Sequence, residues 1–481
     1  MVSNLEDRGA AIDAYLSGHY ERYESWLAQL MAEPGVSSTG VGLDQCAERL
    51  AALARQSGLQ AQVLLTQGAP LVFAQLGSND AWPTLLVTTH YDVQPEGPLL
   101  LWDSPPYELT ARGDRLFGRG SSDAKGPVVA VLAALAAARE TGALTGVNIQ
   151  VLFDGEEEIG SPSLPAAVAQ YRDLLAADAV VTFDGNSLPD GRPLVNFGGG
   201  GILYLDLAVR TARGDIHANR GALVPNAAWR LIWALASLKD SSETIQVAGV
   251  AEAITPISAA DRALLASHRW DDAAELESLG AREYLRRGDY SAPEALHLAP
   301  IMGVAAFHAG PTDAGVSAVL PASASAKLYI GLRHAQSPQA VAAQVRAHLD
   351  KGGFGDVSVT VAAATEPSSH NTRSALGHLV IDQLTAFHGV APAIYPRANW
   401  YGRQASWIGA ELQIHACQVA MVAPPQPNNH GPNEYIERAY FQRGMQAIAR
   451  ILASANTLPQ RGEVAYGDIG PEANSASDIA P

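Results

Sequence analysis

Four short apolar runs in this 481-residue chain stop abruptly at ionisable residues. Thr84–Thr88 leads into Thr89-His90-Tyr91-Asp92, and Val147–Phe153 into Asp154-Gly155-Glu156-Glu157-Glu158. Ala179–Phe183 leads into Asp184, and Gln418–Ala423 into a Pro/Asn loop that reaches His430. Runs this short and apolar read as strands buried on both faces. Helical stretches lie between them, such as Pro127–Arg139 with its proline near the first turn. Strands alternating with helices predict an α/β fold with helices on both faces of one sheet. Ligands of open α/β sheets bind beyond the carboxyl ends of the strands. The four polar tips are therefore expected to meet in one crevice lined with carboxylates and imidazoles.

Helices are expected over Ala11–Met31 and Asp44–Gln56, the second followed by Gly58. The middle of the chain differs. Strand-like Leu203–Arg210 follows four glycines, Gly198 to Gly201; helix Asn226–Leu238, strand Ala326–Leu332 and helix Pro338–Leu349 come after it. This order suits a smaller α+β domain placed inside the first. The expected organisation is a discontinuous catalytic α/β domain, residues 1–202 and 365–481, with an inserted lid or dimerisation domain at 203–364. The Gly-, Ser- and Ala-rich tail from about Gln460 is expected to be loose.

Charge narrows the function. Forty-nine acids against 32 lysines and arginines give a net charge of −17, which repels a phosphate backbone and excludes nucleic acid as partner. Cys46 and Cys417, the two cysteines, cannot build a disulfide framework or a thiolate zinc cluster. The first ten residues carry Glu6, Asp7 and Arg8 without an apolar signal core, and no run reaches membrane-spanning length. A cytoplasmic protein with no membrane partner is the expectation.

Carboxylates as crowded as those at the strand tips repel one another unless cations sit between them. Zinc accepts both histidine nitrogen and carboxylate oxygen. The loop Gly118-Arg119-Gly120-Ser121-Ser122-Asp123-Ala124-Lys125-Gly126 has glycines enough for a phosphate cradle but lacks the Gly-Lys-Ser/Thr ending. It is better read as a rigid loop that presents Asp123. No Gly-x-Ser-x-Gly elbow supports a serine hydrolase.

The segments His90-Tyr91-Asp92-Val93-Gln94-Pro95, Gly118–Gly126, Glu157-Glu158-Ile159-Gly160-Ser161, Asp184, Asp215-Ile216-His217 and His430 stand in one order along most of the chain. Together they resemble the metallopeptidase family of carnosinase, glutamate carboxypeptidase, aminoacylase and succinyl-diaminopimelate desuccinylase, above all its carnosinase-like dipeptidase branch. The resemblance implies two divalent metal ions, zinc foremost, with manganese or cobalt also admitted by the ligand types. It implies that His90 and Asp184 hold one ion, Glu158 and His430 the other, and Asp123 both. Asp92 then orients His90, and Glu157 is the general base. The peptide bond after Asp123 is expected to be cis. In a homodimer, His217 is expected to reach the partner's active site and stabilise an oxyanion.

The substrate side departs from the family pattern. The arginine expected four residues after Lys327, where it would hold a substrate carboxylate, is replaced by Gly331. Arg333 either takes its place from the same strand face or is a solvated surface charge. The threonine before the family's Val-Ile-Pro turn is replaced by Ala318, before Val319-Leu320-Pro321. The family's Gly-Gly-Ser-Ile-Pro loop is replaced by Asn399-Trp400-Tyr401-Gly402-Arg403-Gln404-Ala405-Ser406-Trp407. Its aromatics either line an enlarged pocket, with Arg403 clamping an anion, or pack a domain junction. The expected activity is hydrolysis of an amide or peptide bond in a small substrate, dipeptidase- or carboxypeptidase-like, with altered carboxylate recognition. The alternatives are an N-acyl amino acid deacylase, an amidase on an unusual aromatic substrate, and a metal-binding homologue that no longer hydrolyses. Retention of Glu157 speaks against the last, because a binder needs no general base.

Overall fold

The computed structural model describes residues 2–254, 258–266, 270–285, 290–311, 318–397 and 403–460. The chain forms two units: one from residues up to 198 with 370–396 and 403–460, the other from 199–369 with Arg397.

The first unit is built on an eight-stranded mixed sheet. Its order is Gln60–Leu64, Leu71–Leu76, Asn148–Asp154, Thr84–His90, Ala179–Phe183, His415–Ala420, Leu194–Asn196 and Ala393–Tyr395. The four central strands, Asn148–Asp154 through His415–Ala420, run parallel, so their carboxyl ends lie along one edge. Parallel strands need both faces covered. One face carries helices Lys125–Glu140, Ala375–His388 and Arg438–Ser454 over a core that includes Val87, Val151, Val181 and Val419. The other carries Leu164–Gln170 and Arg403–Leu412 over Leu86, Leu152, Val180 and Ala416. Each fully buried Leu or Val contributes about 1.5–3 kcal/mol.

The second unit holds a four-stranded antiparallel sheet, ordered Ile301–His308, Ser323–Leu332, Gly201–Arg210 and Ser358–Thr365. Along Gly201–Arg210 burial alternates with period two, as a half-covered sheet requires. The covered side packs Leu203, Leu205 and Leu207 against Leu231 and Leu238 of helix Ala227–Leu238, and Val341 and Val345 of helix Pro338–Lys351. Asn226 caps the first of these helices by accepting from the Trp229 N–H at 3.1 Å. No helix among the described residues is long and apolar enough to cross a membrane.

Two expectations need correction. The first helix is two, Val2–Gly18 and Tyr20–Met31, broken at His19, whose ψ of 16° leaves the helical basin just after the poor helix former Gly18. The last core strand is His415–Ala420, not Gln418–Ala423, because sheet pairing with Ala179–Phe183 begins at His415 and ends at Val419. The short hairpin Gln60–Leu64/Leu71–Leu76 on the sheet edge was not anticipated. The tail beyond Gln460 and the loop residues Asn399, Trp400, Tyr401 and Gly402 lie outside the described residues, as does His268.

His370 sits in the first unit with its N–H on the Phe197 carbonyl at 2.6 Å, while both ring nitrogens are buried without a hydrogen-bond partner. Burial, reinforced by His415, pushes its pKa down to about 3. An unfolded histidine titrates near pH 6.5, so below that pH the unfolded chain binds the extra proton and stability falls as the medium acidifies. We expect His370→Phe to remove about 1 kcal/mol of stability loss per pH unit between roughly pH 6 and 4. Urea titrations at several pH values would show it. Equal pH slopes in both proteins would clear His370 of the effect.

Candidate metal centre

The parallel strands bring the polar tips to one edge. His90 closes Thr84–His90, the segment Asp154–Glu158 follows Asn148–Asp154, and Asp184 follows Ala179–Phe183. The His90 Nε2 lies 3.2 Å from Asp123 Oδ1 and 3.8 Å from Asp184 Oδ1. His430 Nε2 lies 3.0 Å from Asp123 Oδ2 and 3.1 Å from Glu158 Oε2. Ligand atoms of His90, Asp123 and Asp184 fall within 4.8 Å of one another, and so do those of Asp123, Glu158 and His430. Asp123 belongs to both groups, and the Asp123–Ala124 peptide is cis.

Asp92 ties two pieces of this arrangement together. Its Oδ1 is 3.2 Å from the His90 Nδ1 and accepts the Glu157 N–H at 3.1 Å, while Oδ2 accepts the Glu158 N–H at 3.0 Å. One buried carboxylate thus orients the imidazole and places the Glu157–Ile159 turn beside it. Glu156, by contrast, accepts from the Ala69 and Ser163 N–H groups and braces the backbone.

The charges of the protein alone show what the cluster lacks. Burial, with Asp184, Asp123 and Glu158 nearby, pushes the Glu157 carboxyl up to about 8 against the opposing pull of His90. Asp184 is pushed up to about 6, again mainly by burial. Hydrogen bonds to Asp123 and Glu158 raise His430 to about 10. At His90 burial opposes protonation, yet the bonds to Asp123 and Asp92 outweigh it. Carboxylates strained upward beside imidazoles held as cations form a cluster that calls for positive charge. Glu158 Oε1 is also buried with no hydrogen-bond partner. Two oxygen- and nitrogen-liganded divalent cations fit this donor set, one per group, with Asp123 in common.

Two supporting residues escaped the sequence reading. Glu434, fully buried, accepts from Arg119 Nη1 at 2.6 Å, the Ser122 hydroxyl at 2.9 Å and the N–H groups of Gly120, Ser122 and Asp123 at 3.0–3.1 Å. It clamps the loop that presents Asp123. Gln94 Nε2 donates to Glu158 Oε2 at 3.1 Å and steadies that carboxylate. Gln94 stands in the His90–Pro95 segment and Glu434 four residues beyond His430, but nothing local marks an isolated Glu in a Pro/Asn loop as a clamp.

The substrate-side candidates are placed differently. His217 is exposed in the second unit, paired with Val319, and its Nδ1 accepts the Asn219 N–H at 3.3 Å. Arg333 lies one residue beyond its strand, so the argument from a shared strand face does not apply. Nor is it a solvated charge: it is 4% exposed, with Nε on the Ala299 carbonyl at 2.9 Å. Arg403 opens helix Arg403–Leu412, but its side chain lies outside the described residues. Trp407 packs against the core of the first unit. Lys327 pairs with Asp206 on the surface.

The chain as a whole is similar to known proteins. A family model described as peptidase family M20/M25/M40 matches residues 86–454. The Beta-Ala-His dipeptidase of Mus musculus is 28% identical over 314 residues, which are 63% of this chain and 63% of that protein. The chain thus spans just under two thirds of this relative's length. The Cys-Gly metallodipeptidase of Saccharomyces cerevisiae is 26% identical over 81% of this chain and 83% of its own length. The structure of an M20 family metallo-carboxypeptidase from Sulfolobus solfataricus matches with a TM-score of 0.83 and 28% identity, covering 90% of this chain and 99% of that one.

Proposed function

The chain belongs to peptidase family M20/M25/M40, a family of metal-dependent peptide hydrolases, and we propose that it is a two-metal hydrolase cleaving the amide bond of a short peptide. The observation that carries this reading is the pair of ligand groups sharing Asp123, with the Glu157 carboxyl pushed up to about 8 beside them. His90 and Asp184 would hold one ion, Glu158 and His430 the other, and Asp123 both. When bound, the ions supply Lewis acidity that polarises the scissile carbonyl and acidifies a water. Zinc suits the ligand set, and manganese or cobalt is compatible with it.

Glu157 takes the proton from the attacking water and returns it to the leaving amine. Asp92 keeps His90 in one tautomer and the Glu157 turn in place. His217, whose Nδ1 is an acceptor, carries its proton on Nε2, the form that can donate to an oxyanion. We assign it to the partner's active site in a homodimer.

Carboxylate recognition differs from the family pattern. At Gly331 an added Cβ would lie 3.1 Å from the Ile301 Cβ, so the strand surface there is already filled. Hydrolysis of a peptide without a tightly held α-carboxylate is the reading we favour over ordinary dipeptide hydrolysis.

The test is cleavage of a panel of dipeptides, N-acyl amino acids and aryl amides, read by mass spectrometry before and after metal stripping. Cleavage should vanish with the chelator and return on adding zinc or manganese. Turnover that survives complete metal removal would defeat the proposal, and fast cleavage of unmodified dipeptides would defeat the altered specificity.

A further inference from the structure

Residues 154–161 carry Glu157 and Glu158, and one carboxylate closes the mouth of this segment. The buried Asp154 accepts the Glu156 N–H on Oδ1 at 3.1 Å and the Ser161 hydroxyl on Oδ2. Its own carbonyl accepts the Tyr91 N–H at 2.8 Å, which ties the segment to the strand end that presents His90. Ser161 needs such a hold, because its φ of 51° lies in the left-handed region, which a residue with a Cβ adopts only at a cost. Asp92 fixes the same turn through the Glu157 and Glu158 N–H groups.

A third donor reaches Asp154 from 250 residues away: Gln404 Nε2 donates to Oδ2 at 2.9 Å. Gln404 stands in the first turn of helix Arg403–Leu412, within the segment that departs from the family pattern. The helix does not need this residue to dock, since Ala405, Ile408 and Leu412 bury it against the sheet. Gln404 is itself 2% exposed, and its Oε1 is buried with no hydrogen-bond partner. A half-satisfied buried amide is costly, and an apolar side chain of the same size would fill the space without that cost. What the amide adds is a bond to a buried carboxylate whose other donors, among the described residues, are Glu156 and Ser161.

We propose that Gln404 is a positioning residue for the metal centre: through Asp154 it sets the turn that carries Glu157 and Glu158. Loss of the amide leaves Oδ2 with the Ser161 hydroxyl alone, and the mouth of the segment is then free to relax. Movement of the turn displaces the general base and a metal ligand together, because the two are adjacent residues. The inference rests on the roles given to Glu157 and Glu158 under the proposed function.

Gln404→Met keeps the length and bulk of the side chain and removes the donor. In the metal-loaded, full-length protein kcat is expected to fall about tenfold with KM nearly unchanged, the low end for residues that support a metal site from outside its ligands. Zinc titration against a chromophoric chelator should show the Kd of the weaker-bound ion raised about tenfold, since Glu158 moves with the turn. In an Asp154→Ala background the same substitution should change both quantities by less than about twofold, because the connection is already gone. Gln404→Asn, which draws the amide back by one methylene, replaces Gln404→Met should that variant not fold, with the same direction of change expected. Wild-type kcat and zinc affinity in a folded Gln404 variant overturn the inference, as does a loss of thermal stability alone. A full effect of Gln404→Met in the Asp154→Ala background also overturns it, since the residue would then act by another route. The zinc titration reads Glu158 without a substrate. Absence of cleavage by the unaltered protein therefore counts against the hydrolase reading, while the titration still decides the role of Gln404.

Discussion

Glu157→Gln should lower kcat by about 10²–10⁴-fold while metal content and thermal stability stay close to wild type. Glutamine keeps the shape of the side chain and removes its ability to take a proton. Its neighbours support this role. Burial and three nearby carboxylates push the Glu157 carboxyl up to about 8 when no cation shares the cluster, so it takes up a proton more readily than an exposed glutamate. The backbone N–H of Glu157 is pinned to Asp92 at 3.1 Å, so the substitution leaves the turn anchored. Metal analysis, circular dichroism and single-turnover kinetics on one preparation make the comparison. A variant that loses only substrate affinity, with kcat intact, would remove Glu157 from the proton transfer.

The second large effect concerns Asp123. Because its two oxygens face His90 and His430 separately, Asp123→Ala takes a ligand from both groups at once. Metal content should fall from two ions per chain to one or none, with loss of nearly all activity. Asp92→Asn provides the contrast, because Asp92 reaches the site through His90 and two backbone N–H groups. Its cost should be about 10–100-fold in metal affinity or rate. Atomic absorption after dialysis measures the first, and zinc titration the second. Should Asp123→Ala retain two ions, the shared-ligand assignment would fail. If Asp92→Asn proved as damaging as Asp123→Ala, Asp92 would have to be reassigned as a ligand.

Much of the site was legible because each piece is local. His90 and Asp92 sit at the end of one apolar run, and Glu157 and Glu158 at the end of another; a strand with a buried body and a polar tip announces itself in a dozen residues. The order of the motifs supplied the metal roles by resemblance. Strand bounds were less secure. The last core strand starts at His415 because the neighbouring strand offers hydrogen bonds from there, a fact absent from its own sequence. The break at His19 was missed because apolar periodicity continues through it.

The sequence by itself determined the α/β class and the sheet edge at which the polar strand tips meet, since periodicity and strand-end composition are written along the chain. Only the tertiary structure decided that Glu434 grips the Asp123 loop, since Arg119 and Glu434 are 315 residues apart and meet through folding alone. It also decided that Arg333 is buried on main-chain carbonyls. Burial and long-range pairing are properties of the packed chain, and a charged residue carries the same letter in the sequence whether it ends in water or in a protein interior.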